Sequence, residues 1–135
     1  MFTACSFRGR RSGQTVVEFA LVLPVLLLIL LGIMEFGRIW MTQNAITNAA
    51  REGARKAVLP SATQAQVETL IHNYLSGAGL TLSQVSITCT NEGATGQVGD
   101  DVTVGVDYNM ALLVGNMLGL GGSLQLSSSS VMRHE

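Results

Sequence analysis

The feature that most limits what this chain can fold into is the apolar run VVEFALVLPVLLLILLGIM at residues 16–34, with no charged side chain between Glu18 and Glu35. Its length suits a helix crossing bilayer hydrocarbon, which takes roughly 20 residues. In lipid the backbone must satisfy its own polar groups, which favours a helix. Arg8, Arg10 and Arg11 precede the run and Glu35 closes it. The positive-inside rule then places the N-terminus in the cytoplasm and the C-terminus outside. A secretory signal peptide would be cut after its apolar core, at small residues. Here Glu35, Phe36, Gly37, Arg38, Ile39 and Trp40 follow, so the run is expected to stay in the mature protein.

The helical pattern continues past the run. From Arg38 to Leu59 there is no proline and one internal glycine, Gly53. Ala45, Ala49, Gly53 and Ala57 recur every four residues, beside Ile46, Ala50, Ala54 and Val58. Such a stripe lets another backbone approach closely. It serves packing on the chain's own sheet, a subunit interface, or both. Glu52 and Lys56 are ordered for an i,i+4 pair. Arg51, Glu52 and Arg55 read as a solvated face, with docking as the alternative. Pro24 frees the carbonyl of Ala20 and predicts a kink, and Pro60 ends the helix.

The remainder predicts a small α+β domain. Ser61 and Gln64 fit a capping box opening a helix whose apolar face is Val67, Leu70, Ile71, Tyr74 and Leu75, with Gly77 at its exit. Val85, Ile87 and Cys89 alternate as a strand, and Val102 to Tyr108 alternate more clearly. Residues 91–100 are turn-rich, and 109–122 read as a loop with one short helix. Leu124 and Leu126 open a closing strand. About three antiparallel strands and one helix cannot bury much alone, so the outer half of the long helix must cover them. The expected division is 1–13 leader, 14–36 membrane helix, 37–59 its outward continuation, and 60–135 the α+β domain.

Charge and cysteines narrow the function. The formal net charge is -1, which argues against a nucleic-acid surface. Cys5 has no apolar run before it to present it for lipidation. Cys89 reads as a half-buried strand residue, with an intermolecular bridge as the alternative. His72 and His134 stand apart from any metal-ligand spacing, and Asp100-Asp101 lacks the alternating oxygen ligands of a calcium loop. The glycines at 115–122 make no phosphate loop. The chain is therefore expected to be neither an enzyme nor a cofactor protein.

The chemistry-bearing pattern is Arg10, Arg11, Ser12, Gly13, then QTVVEF, then the apolar run. Gly13 offers a protease an extended, side-chain-free position at the membrane surface. A cut between Gly13 and Gln14 removes three of eight basic residues, leaving five against nine acidic ones, about -4 by side chains. Glu18 is then the fifth residue. A carboxylate just inside hydrocarbon costs up to ~3 kcal/mol, and the new ammonium at Gln14 of a neighbouring subunit is its natural partner. Cyclisation of Gln14 would remove that ammonium. The alternative is an ordinary interfacial carboxylate. Glu35 and Arg38 read as an interfacial i,i+3 pair.

Glycine, four residues, glutamate, aromatic resembles the prepilin cleavage motif of the type IVb kind, here Gly13, QTVV, Glu18, Phe19. The wider stretch resembles the TadE-like family of pilin-like proteins in tight-adherence secretion systems. Its landmarks are Glu18-Phe19, Pro24, Glu35-Phe36-Gly37-Arg38 and Ala49-Ala50-Arg51-Glu52-Gly53-Ala54-Arg55, with Val131-Met132-Arg133 near the end. The resemblance is specific in the N-terminal half and weak through the sheet. It implies cleavage by a prepilin peptidase. It also implies a minor pilin or pseudopilin role beside other pilin subunits and the tight-adherence machinery, in Flp-type pili for adhesion and biofilm formation. The protein would sit in the bacterial inner membrane, its bilayer a partner, and either enter the fibre or prime its assembly. Glu18 and Pro24 are the expected assembly residues. The rival reading is an unprocessed, signal-anchored membrane protein whose outer domain binds an envelope partner.

Overall fold

The computed structural model describes residues 11–90, 99–117, 119 and 121–134, with side chains from Gly13 onward. Residues 1–10 of the expected leader, including Cys5, Arg8 and Arg10, and most of the turn-rich segment after Thr90 lie outside the described residues.

One helix dominates. α1 runs Arg11–Ala57, 47 residues, or about 70 Å at ~1.5 Å per residue. Its Gly13–Ala57 portion is long and apolar enough to cross a membrane. It is helical through Pro24, the only backbone breaker before Pro60. Its end is close to expectation: Val58 N–H still reaches Ala54 O at 3.2 Å, and Leu59 N–H closes a tighter turn on Lys56 O at 3.1 Å. The residue before a proline is pushed out of the helical region, and the chain turns there.

The opening of α2 (Gln64–Gly77) differs from the expected capping box. Thr63 is the N-cap, in extended conformation, and its side chain makes no capping bond. Ser61 belongs to the preceding turn, where Ala62 N–H bonds Leu59 O at 2.8 Å. Gln64 instead donates to Glu68 Oε1 at 2.8 Å. At the other end Gly77 is still helical. Gly79, at φ 77°, takes the left-handed position, and Leu80 N–H returns to Leu75 O at 3.0 Å. This is a Schellman-type ending, which glycine makes cheap. Of the expected apolar face, Val67, Ile71 and Leu75 are buried, Leu70 is half-buried, and Tyr74 is exposed.

A single 3-10 turn at Leu82–Gln84 leads into β1 (Val85–Thr90). β2 (Asp101–Ala111) follows, then α3 (Leu113–Met117) and β3 (Ser123–Arg133). The sheet is antiparallel in the order β1-β2-β3. Its register sorts the side chains by face. Val85, Ile87 and Cys89 stand opposite Tyr108, Val106 and Val104. Across the other edge of β2, Val102, Val104, Val106, Tyr108 and Met110 stand opposite Met132, Ser130, Ser128, Leu126 and Leu124. The opposite face carries Ser86, Thr88, Thr90, Thr103, Asp107, Gln125 and Ser129, which face outward. The fold is thus α+β, with a polar outer sheet face and an apolar inner one.

The outer half of α1 covers the inner face, against β2 and β3, with α2 beside it. Ile46, Ala49, Ala50, Ala54 and Ala57 are fully buried with Val67, Ile71, Leu75, Val102, Val104 and Val106. Gly53 is the closest point. A Cβ there would lie 2.7 Å from Ile71 Cδ1 and 3.2 Å from Val104 Cγ1, so any larger residue must push those side chains aside, and glycine is favoured by proximity rather than by backbone angle. Gln43 Nε2 adds a polar tie to Ser127 O at 3.1 Å.

Candidate functional site

α1 carries two candidate regions on its inner half. The first is its N-terminal end. Gly13, Gln14, Glu18 and Phe19 lie within the first turns of α1, and every residue from Gly13 to Leu30 is exposed. Gly13 is helical here. Nothing lies within 4 Å of where its Cβ would stand. Access to that peptide bond by a protease therefore requires the first helical turn to open. Terminal turns open easily because their first N–H groups lack intrahelical acceptors. Gln14 Nε2 donates to Glu18 Oε1 at 3.4 Å, one turn along the same face. The residue expected to become the new N-terminus is thus already the neighbour of the carboxylate expected to pair with it, within one chain. Phe19 and the residues around Pro24 present large side chains outward, Phe19 being 64% exposed.

The second region is the collar at the end of the apolar run. Glu35 is 8% exposed, unusual for a carboxylate at the end of an apolar segment. Its Oε1 accepts from Arg38 at 3.2 Å, the expected i,i+3 pair. Its Oε2 accepts from the backbone N–H groups of Leu113 and Val114 at 3.0 and 3.2 Å. Glu35 therefore takes up two of the N–H groups that begin α3, where intrahelical partners are absent, and its negative charge suits that helix end. The sequence shows the Arg38 pair by spacing. It offers no local signal for the second contact, which joins positions 78 and 79 residues apart.

The small-residue stripe is resolved in detail. Ala49, Gly53 and Ala57 are buried against the chain's own α2 and sheet, and Ala45 is half-buried at the margin. Arg51, Glu52 and Arg55 are exposed, and Glu52 and Lys56 do not form the ion pair their spacing suits. Near the C-terminal end, Met132 packs against the core and Arg133 Nε donates to Gly99 O at 3.1 Å. Two backbone bonds of His134 close the end of the β2–β3 ribbon: its O accepts from Gly99 N–H and its N–H donates to Asp100 O, both at 3.0 Å. Cys89 is half-buried in β1.

The architecture is that of a membrane-anchored protein: one long apolar helix whose outer half is built into a small α+β domain. The family model for TadE-like protein matches residues 13–55, so that the matched segment opens at Gly13 and closes at Arg55 with the small-residue stripe. It takes in the landmarks Glu18-Phe19, Pro24, Glu35 to Arg38 and Ala49 to Arg55. Val131-Met132-Arg133 and the whole sheet lie outside it. Searches of curated proteins and of solved structures found no match.

Proposed function

We propose that the chain is a minor pilin or pseudopilin of a tight-adherence, type IVb pilus system. A prepilin peptidase cuts it after Gly13, and it then joins other pilin subunits and the assembly machinery through the inner half of α1. The role is structural rather than catalytic. The arginines before the run favour a cytoplasmic N-terminus and an extracytoplasmic domain.

The observation that carries this reading is the position of Gly13, QTVV, Glu18, Phe19 at the head of a helix whose residues stay exposed down to Leu30 among the described residues. A TadE-like segment opens at the same glycine. A helix spent on intrachain packing would have one buried stripe throughout. Here the stripe begins only at the collar, and the helix before it is left for lipid or for neighbouring subunits. Glu18 is the carboxylate on that uncovered part. After cleavage its neighbour Gln14 carries an ammonium, and the same proximity across two subunits would set the register of one helix against the next.

The test is Glu18→Ala in the native host, scored for both processing and assembly. The expected result is a cleaved chain that stays in the membrane and no longer co-purifies with pilus subunits. Normal piliation and normal co-purification would contradict the assembly role of Glu18.

A further inference from the structure

We propose that α3 is a second membrane contact, an uncharged foot of the outer domain resting in the interfacial layer of the bilayer that α1 crosses. The proposal rests on the reading of α1 as a membrane span and adds to it a surface belonging to the domain.

The sequence allows it. No charged residue occurs between Asp107 and Arg133, so no ionic group in the β2–β3 connection has to stay in water. Leu113 and Met117 are 56% and 63% exposed, and no residue of α3 is buried. Leu113 and Met117 lie four residues apart and so share one face of α3.

The placement gives the foot a depth. Met117 lines an apolar groove with Pro24, Leu27, Leu28 and Leu31 of α1. These positions precede Glu35 by four to eleven residues, or about 6 to 16 Å along the helix axis. The C-terminal end of α3 therefore reaches back alongside the apolar run, past the level of the first charged residue. On that level stand Phe36 and Trp40, 65% and 64% exposed, with ring centroids 6.3 Å apart. Exposed aromatic rings at the end of an apolar run are what the headgroup layer selects. Immersion of ~5–10 Å is ordinary for an interfacial element.

The backbone is prepared for that layer. Irregular chain at membrane depth is costly unless its polar groups are paired. The N–H groups of Leu113 and Val114 are bonded to Glu35. Leu112 N–H bonds Gly122 O at 3.0 Å, Asn116 N–H bonds Leu112 O at 3.2 Å, and Gly119 N–H bonds Asn116 O at 3.2 Å. Gly119 and Gly121, at φ 68° and 58°, turn the chain back toward β3. The carboxylate holding the foot is itself balanced by Arg38, whose side chain is 40% exposed and can extend to lipid phosphates.

The experiment uses the full chain in phosphatidylcholine–phosphatidylglycerol vesicles at low protein-to-lipid ratio. Single tryptophans are introduced as Met117→Trp, Leu28→Trp or Thr88→Trp in a Trp40→Phe background, and quenched by lipids brominated at shallow or deep acyl positions. The expected result is loss of Met117→Trp emission to shallow bromines, loss of Leu28→Trp emission to deep ones, and no loss for Thr88→Trp on the outer sheet face. An unquenched Met117→Trp beside a quenched Leu28→Trp overturns the foot and leaves the span standing. Unquenched but blue-shifted Met117→Trp emission, the sign of cover by another copy of the chain, overturns it as well. Absence of quenching at both Met117→Trp and Leu28→Trp removes the span itself.

Discussion

The two halves of α1 are one unbroken helix with opposite solutions to the same problem. Before Glu35 the side chains are mostly large and apolar, and among the described residues nearly all stay exposed. After Thr42 the buried positions are mostly alanine and glycine, and they sit at full burial against α2 and the sheet. Hydrophobicity alone would assign the core to the wrong half. What marks the intrachain interface is small size at a spacing of four, because close approach of helix to sheet multiplies contacts that large side chains would hold apart. What marks the uncovered half is the reverse: bulky residues all round, as expected of a helix whose surroundings are themselves apolar.

The contrast can be broken most strongly from the domain side. Ile71→Ala removes a fully buried side chain that packs over Gly53, and should cost about 2–5 kcal/mol. The check is protease resistance of the domain against urea, with the chain held in micelles. Next comes Gly53→Val, which forces bulk between Ile71 and Val104. A loss of about 1–3 kcal/mol is expected in the same assay.

Glu35→Ala acts locally. It leaves the amides of Leu113 and Val114 without their acceptor, at a cost of about 1–3 kcal/mol to α3. Hydrogen exchange over residues 112–117 should accelerate about tenfold or more, at roughly 1.4 kcal/mol per tenfold, while β2 exchanges as before. The smallest effect belongs to the uncovered half. Leu28→Ala deletes as much side chain as a core substitution, yet should change domain stability by less than about 0.5 kcal/mol. A core-sized loss there would erase the distinction between the halves.

Much of this division is legible in the sequence because it rests on local regularities. The charge-free run, the absence of proline from Arg38 to Leu59 and the four-residue spacing of Ala45, Ala49, Gly53 and Ala57 define α1 and its inner stripe. Alternation in Val102, Val104, Val106 and Tyr108 defines the central strand. What local pattern misses is set by distant partners. Leu124 and Leu126 predict β3 over the last segment, and it does run on across Ser127–Ser130, where serine on both faces leaves no alternation to read. Its strand state comes from pairing Ser128 with Val106 and Ser130 with Val104. Gly77 and Gly79 both suit a helix exit, and the choice falls to the position from which Leu80 N–H can return to Leu75. At the candidate sites, Gly13, Glu18 and the Glu35–Arg38 pair are readable from spacing. The hold of Glu35 on α3 is not, since it depends on where the fold places a loop almost eighty residues away.

With the proposed cut made, the uncovered half of α1 begins, in the mature protein, at Gln14. The direct measurement is the intact mass and N-terminal sequence of the protein extracted from membranes, with and without the prepilin peptidase of its host. The account predicts a chain starting at Gln14, or its cyclised form, only when the peptidase is present. A chain retaining the residues before Gly13 in both cases would contradict it, and would make this an uncut, signal-anchored membrane protein.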